Sequence, residues 1–83
     1  MKVINRGVTH MTNNFDRDLG ATLRQFRMRA KISQSEMANR LGVTKMAISH
    51  WEIGDRAMTA MNLKKYCDAL GVKMQDVFDR MES

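Results

Sequence analysis

Apolar residues recur at three- and four-residue intervals through most of the chain, which is the spacing of an amphipathic helix. Alternation of apolar and polar residues never lasts long enough to indicate a sheet, and the sequence contains no proline. The periodicity predicts a first helix from Asp16 to Lys31, with its apolar face formed by Leu19, Leu23, Phe26 and Ala30.

Local capping signals divide the rest of the chain into four further helices. Ser33 followed by Glu36 predicts a capping box, in which each side chain satisfies an amide that the first helical turn leaves unpaired. Hydroxyl residues and glycines mark later boundaries in a similar way. We therefore expect a compact all-α domain of five helices. The later ones run from Gln34 to Gly42, from the Thr44 cap to about Ile53, from the Thr59 cap to Gly71, and from just after Val72.

The length of the chain, 83 residues, suits one domain with a single core. We assign residues 15–83 to this domain and residues 1–14, which show no helical period, to a flexible N-terminal arm. A short pairing strand and a basic arm are the alternatives for that segment. Cys67 is the only cysteine, and no apolar run approaches the roughly 20 residues of a membrane span, so we expect a cytoplasmic protein without disulfides.

The charge balance favours a polyanionic partner over a neutral one. Fourteen Lys and Arg residues against nine Asp and Glu residues give a formal charge of +5, although a merely solvated basic surface has the same composition. We find no paired carboxylates, nucleophile and base, or phosphate-binding glycine loop at usable spacing, so an enzyme is not expected. His10 and His50 lack partners at ligand spacing, and we expect neither a metal site nor a cofactor.

The predicted third helix has two chemically different faces. At about 100° per residue, the arc of Ala47, Ile48 and Trp51 lies opposite a second arc whose side chains can hydrogen-bond. The apolar arc must pack inward, which turns the other arc outward on a rod about 14 Å long, a size that fits the major groove of B-form DNA. The outward arc consists of Lys45, Met46, Ser49 and His50.

The run ISQSEMANRLGVTKMAISHWE, residues 32–52, resembles the lambda repressor and Cro-like (XRE-type) helix-turn-helix family, and the similarity extends from about Leu19 to Phe78. Ala38, Gly42 and Ile48 stand where that family has a small residue, a glycine turn and a branched apolar residue. The resemblance implies a helix-turn-helix DNA-binding domain.

Residue roles follow from the resemblance, position by position. Gln34 matches a residue that binds a DNA phosphate and braces the first base-reading residue, and Arg56 matches one that reaches the backbone or a base. Arg27 and Glu52 match a partly buried ion pair between the first and third helices. The positions that face base edges or adjacent phosphates in the family are matched by Thr44, Lys45, Met46, Ser49 and His50.

Side-chain chemistry agrees with those roles. Lys45 and His50 can donate to guanine O6 or N7, Met46 can touch a thymine methyl group, and Ser49 is permissive; Lys45 is the residue we expect to read sequence. Candidates for phosphate contacts, each with simple solvation as the alternative, are Gln34, Thr44, Arg56, Arg24, Arg40 and Lys64.

Some residues depart from the family pattern. Trp51 replaces a smaller aliphatic residue, and we expect its ring to pack in the core instead of stacking on a base. Ile53 stands where asparagine is frequent, which removes one expected phosphate contact. Lys73 stands where a serine cap is usual, so the start of the fifth helix is less well specified.

The combined prediction is a sequence-specific transcriptional regulator, a repressor or controller, that binds double-stranded DNA. One short helix reads few base pairs, so we expect a homodimer on an inverted-repeat operator, with its dimer surface around the fifth helix. The alternative is an antitoxin that binds a partner protein and also regulates its own operon; a toxin or polymerase contact stays open.

Overall fold

A computed structural model describes residues 14–82, and these residues form five α-helices without a strand. The prediction of an all-α, five-helix fold is confirmed. The predicted N-terminal arm lies outside the described residues except for Asn14, which is the first residue of a helix. The helices are α1 (Asn14–Arg29), α2 (Gln34–Leu41), α3 (Lys45–Ile53), α4 (Ala60–Leu70) and α5 (Met74–Glu82).

The starts of three helices depend on hydroxyl side chains. Ser33, Thr44 and Thr59 each accept a hydrogen bond from the amide three residues later, at 3.0–3.1 Å, as the sequence predicts. The capping box at Ser33 is only half formed, because the Glu36 carboxylate pairs with Arg40 at 2.9 Å. A guanidinium one turn away offers this exposed carboxylate a charged donor.

The α5 helix begins with the opposite half of a capping box. The backbone amide of Lys73 donates to the Asp76 carboxylate at 3.0 Å, and Lys73 itself supplies no capping oxygen. An acidic side chain in the first turn therefore replaces the serine cap that the sequence lacks.

The end of α1 differs from the sequence prediction. The helix stops at Arg29, whereas the periodicity extends it to Lys31, which instead adopts a left-handed conformation with φ of 62°. The amide of Ile32 donates to the Arg27 carbonyl at 3.2 Å and that of Lys31 to the Met28 carbonyl at 3.0 Å. This is the hydrogen-bond pattern of a Schellman motif, usually built on glycine, so a lysine in this position gave no sequence signal.

Each helix contributes at least one fully buried side chain to a shared core. Leu23, Met37, Ile48, Tyr66 and Val77 all have no exposed surface, and they come from α1 to α5 in order. The α3 helix packs between α1 and α2, while α4 packs on α2 and α5 packs on α1. The candidate DNA-reading helix is therefore fixed on its inner side by two neighbours.

The α1 and α3 helices approach so closely that their backbones touch. A Cβ atom added to Gly20 would lie 2.2 Å from the carbonyl oxygen of Trp51 and 2.6 Å from that of Glu52. No side chain fits between the helices there, so glycine in the middle of α1 is a steric requirement. No local sequence signal marks Gly20 as such a contact.

Candidate nucleic-acid interface

The α2 and α3 helices form a compact pair joined by residues 42–44. Gly42 has φ of 71°, which reverses the chain after α2, and Thr44 then caps α3. Ala38 is 5% exposed, so its small side chain lies within the packed interior of the pair. Ile48 is fully buried between the helices. The local geometry is thus a helix, a tight turn and a second helix.

The two faces of α3 differ as the sequence predicts. Ile48, Trp51 and Glu52 are buried, and the 9% exposure of Trp51 places its ring in the core. Lys45 and Met46 are exposed, with 67% of the Met46 surface accessible. The side chains at Ser49 and His50 are half-buried on the same helix. These last four residues form what we call the α3 outer face.

A buried ion pair holds α3 against α1. Arg27 donates to both carboxylate oxygens of Glu52, from Nε at 2.7 Å and from a terminal nitrogen at 3.0 Å. Its other terminal nitrogen donates to the carbonyl of Ile32 at 2.7 Å. The planar guanidinium fits this bidentate arrangement, so the contact fixes orientation as well as distance.

Two further donors complete the coordination of the Glu52 carboxylate. Gln34, the first residue of α2, donates from Nε2 at 3.1 Å, and the buried hydroxyl of Tyr66 on α4 donates to the other oxygen. The resulting Glu52 cluster consists of Arg27, Gln34, Glu52 and Tyr66 and joins four helices. Sequence reasoning missed Tyr66, because a tyrosine on an apolar helix stripe looks like an ordinary core residue.

The cluster shifts the ionisation of its members. Burial by itself raises the pKa of Glu52, but hydrogen bonds from Arg27, Tyr66 and Gln34 outweigh burial and lower the pKa below its ordinary value. The hydrogen bond to Glu52 raises the pKa of Arg27, and burial followed by the same carboxylate raises that of Tyr66. The ion pair is therefore charged at neutral pH, and the buried charges satisfy one another.

The basic side chains that are predicted to contact DNA phosphates lie in different environments. Arg24 is exposed on α1 and lines an open groove together with Gln34 and Ser49, which places it beside the α3 outer face. Arg56 is exposed in the loop between α3 and α4.

Two other cations are engaged elsewhere. The guanidinium of Arg40 pairs with Glu36 and also donates to the Ala69 carbonyl at the end of α4, at 3.1 Å. Lys64 pairs with Asp68 at 2.9 Å on α4. Both cationic groups thus serve local contacts in this structure.

No helix among residues 14–82 is long and apolar enough to cross a membrane.

A family model described as helix-turn-helix matches residues 23–77, which include the α2–α3 pair and the Glu52 cluster. The chain belongs to the helix-turn-helix family. The lambda repressor and Cro-like (XRE-type) resemblance of the sequence is thereby confirmed. The sequence has no significant match among curated proteins.

Solved structures of regulators share the fold of this helix-turn-helix protein. The clp gene regulator ClgR from Corynebacterium glutamicum superposes with a TM-score of 0.81 at 28% identity, covering 86% of this chain and 76% of that one. The restriction-modification controller protein C.AhdI from Aeromonas hydrophila gives a TM-score of 0.76 at 24% identity, covering 80% and 100%. The family match and the ClgR structure support a DNA-binding transcriptional regulator, and the C.AhdI structure supports the fold.

Proposed function

We propose that this protein is a sequence-specific transcriptional regulator of the cytoplasm that binds an inverted-repeat operator as a homodimer, as a repressor or controller. The observation that carries the proposal is the α3 outer face, which projects from a helix fixed by the Glu52 cluster. A side chain reads a base only if its helix is held rigidly, and three other helices hold this one through Arg27, Gln34 and Tyr66.

The chemistry of the α3 outer face suits base edges. The exposed Lys45 ammonium donates to guanine O6 or N7, and the exposed Met46 side chain is an apolar contact for a thymine methyl group. Gln34 would orient α3 through Glu52 while its carboxamide stays close to the DNA backbone. Thr44, with its hydroxyl oxygen accepting at the helix cap, retains a hydroxyl proton for a phosphate.

The basic groups beside α3 account for backbone binding. Arg24 precedes α3 in the sequence and Arg56 follows it. Both side chains are exposed and would neutralise phosphates. Each neutralised phosphate releases counterions, so the logarithm of affinity falls with the logarithm of salt concentration by about 0.9 per contact. Arg40 already uses Nε on Glu36 and one terminal nitrogen on Ala69, so it would join these contacts through its remaining N–H donors.

The dimer follows from the size of the reading element. The α3 helix has nine residues and a length of roughly 14 Å, which spans only a few base pairs. Two copies related by a two-fold axis multiply the discrimination, with half-sites about 34 Å apart or a multiple of that distance. The α5 helix, which packs on α1 away from α3, leaves the α3 outer face free if it forms the dimer surface.

The test selects bound duplexes from a random pool with the wild-type protein, Lys45→Ala and Lys65→Ala. Lys65 is exposed on α4, so the control removes the same charge from a different helix. We expect a palindromic site, and a Lys45→Ala loss of discrimination at one base pair of about 1–3 kcal/mol, or roughly 5- to 150-fold. Lys65→Ala should keep the same base preferences.

Two results contradict the proposal. A selected site without two-fold symmetry refutes the homodimer, as does footprinting over a single asymmetric region. If Lys45→Ala weakens binding to every sequence equally, as Lys65→Ala would, base reading by Lys45 is refuted and its role is only electrostatic.

A further inference from the structure

The imidazole of His50 is held by a carboxylate from the loop after α3. Its Nδ1 atom lies 2.9 Å and 3.1 Å from the two carboxylate oxygens of Asp55, five residues later in the chain. An ionised carboxylate can only accept hydrogen bonds, so the Nδ1 atom carries the proton in this contact. The pairing fixes both the orientation of the ring and its tautomer.

The second ring nitrogen remains available to a ligand. Among residues 14–82 the Nε2 atom of His50 has no hydrogen-bond partner, and no buried side-chain nitrogen or oxygen atom there lacks one. The unpartnered Nε2 atom must therefore touch solvent, consistent with 25% exposure of the side chain. It is the ring nitrogen of His50 that is left to bind a base.

We infer that Asp55 is a positioning residue that determines which base His50 reads, an inference that rests on the proposed DNA-binding function. With the proton held at Nδ1, the neutral ring offers Nε2 only as an acceptor. Acceptors recognise the exocyclic amino groups in the major groove, which are adenine N6 and cytosine N4. The neutral ring of His50 then selects adenine or cytosine, in contrast to the guanine acceptors that the sequence alone predicts for it.

The charge of Asp55 has a second effect on specificity. Its side chain is 48% exposed beside the candidate interface, so the carboxylate repels DNA phosphates on every sequence. The hydrogen bond to His50 strengthens binding only where an amino group meets Nε2. Asp55 thus lowers non-specific affinity while it supports a specific contact, a combination that a purely structural residue does not produce.

The first test needs no DNA. Nitrogen-15 spectra of the imidazole groups at pH 8.5 report which ring nitrogen is protonated, and loss of signals in His50→Gln identifies the ring. We expect the Nδ1-protonated form in the wild-type protein and a shift towards the Nε2-protonated form in Asp55→Ala. A wild-type ring protonated at Nε2 overturns the inference, whether or not the protein binds DNA.

The second test measures base preference at the pair whose discrimination is lost in His50→Ala. At pH 8.5 we expect the wild-type protein to prefer adenine or cytosine there. Asp55→Ala should lose about 5- to 10-fold of that preference, bind non-specific duplex more tightly, and keep the preference assigned to Lys45. Asp55→Asn, which retains an acceptor oxygen without the charge, should restore most of the preference.

The outcomes separate the two proposals. A guanine preference at the His50 pair, or an unchanged preference in Asp55→Ala, refutes the role of Asp55 and leaves DNA binding intact. A wild-type protein that binds no duplex refutes the proposed function and base reading by His50 together, while the spectra still decide the tautomer.

Discussion

Replacing Gly20 with alanine has two effects on the free energy of unfolding, and they have opposite signs. Glycine in the interior of a helix is less favourable than alanine by about 1 kcal/mol, so helix propensity alone predicts that Gly20→Ala stabilises α1. The new Cβ atom, however, would lie 2.2 Å from the Trp51 carbonyl oxygen and 2.6 Å from that of Glu52. Both are backbone atoms, which cannot move aside as the end of a flexible side chain can.

The size of the effect follows from that geometry. Carbon and carbonyl oxygen atoms rarely approach within about 3.3 Å, so α1 and α3 must separate by about 1 Å. Forcing extra volume into a packed core costs typically about 1–3 kcal/mol, and here the strain also reaches the ion pair of Arg27 and Glu52. Taking the upper end of that range and subtracting the gain in propensity, we expect a loss of about 2 kcal/mol.

Thermal unfolding followed by circular dichroism measures this loss. In a domain of this length about 2 kcal/mol corresponds to a fall in Tm of roughly 8–16 °C. Ala21→Gly is the matched control, because Ala21 is the exposed neighbour of Gly20 in α1 and its replacement changes propensity without a clash. It should lower Tm by about 4–8 °C. A Tm above that of the wild-type protein in Gly20→Ala would refute the close approach of α1 and α3.

Two further predictions concern buried ionisable groups. Because the folded protein lowers the pKa of Glu52, its ionisation adds stability that is complete above the ordinary value of 4.5 and is lost as pH falls through the lower, folded-state value. Urea unfolding between pH 6 and pH 2 should therefore show a shallower loss of stability in Glu52→Gln than in the wild-type protein, and equal slopes would contradict this. Burial, followed by Asp68 and Asp76, raises the pKa of Cys67 to about 11, so a thiol reagent at pH 8 should react slowly with the native protein and rapidly in urea. Fast modification without denaturant would show that Cys67 is accessible.

The sequence predicted the helices well because their signals are local. Hydroxyl caps at Ser33, Thr44 and Thr59 satisfy amides only three residues away, and Gly42 turns the chain by its own backbone conformation. The end of α1 was placed two residues late, because Lys31 adopts a left-handed conformation that its residue type does not predict.

The two faces of α3 were also readable in advance, since helical periodicity separates Ile48 and Trp51 from Lys45 and Met46. What those faces contact was not readable. Sequence reasoning included Arg40 among the candidates for DNA phosphates, yet in the fold its guanidinium bonds to the Ala69 carbonyl, 29 residues away in the chain.

The chain alone determined where α2, α3 and α4 begin, which side of each helix is apolar, and that α3 follows α2 after a tight turn, because these properties depend on residues within one or two helical turns. Only the tertiary structure decided that Gly20 lets two backbones touch, that Tyr66 joins the buried carboxylate of Glu52, and that Asp55 holds the ring of His50. Such contacts depend on the distance and angle between elements, and packing of the whole core sets those.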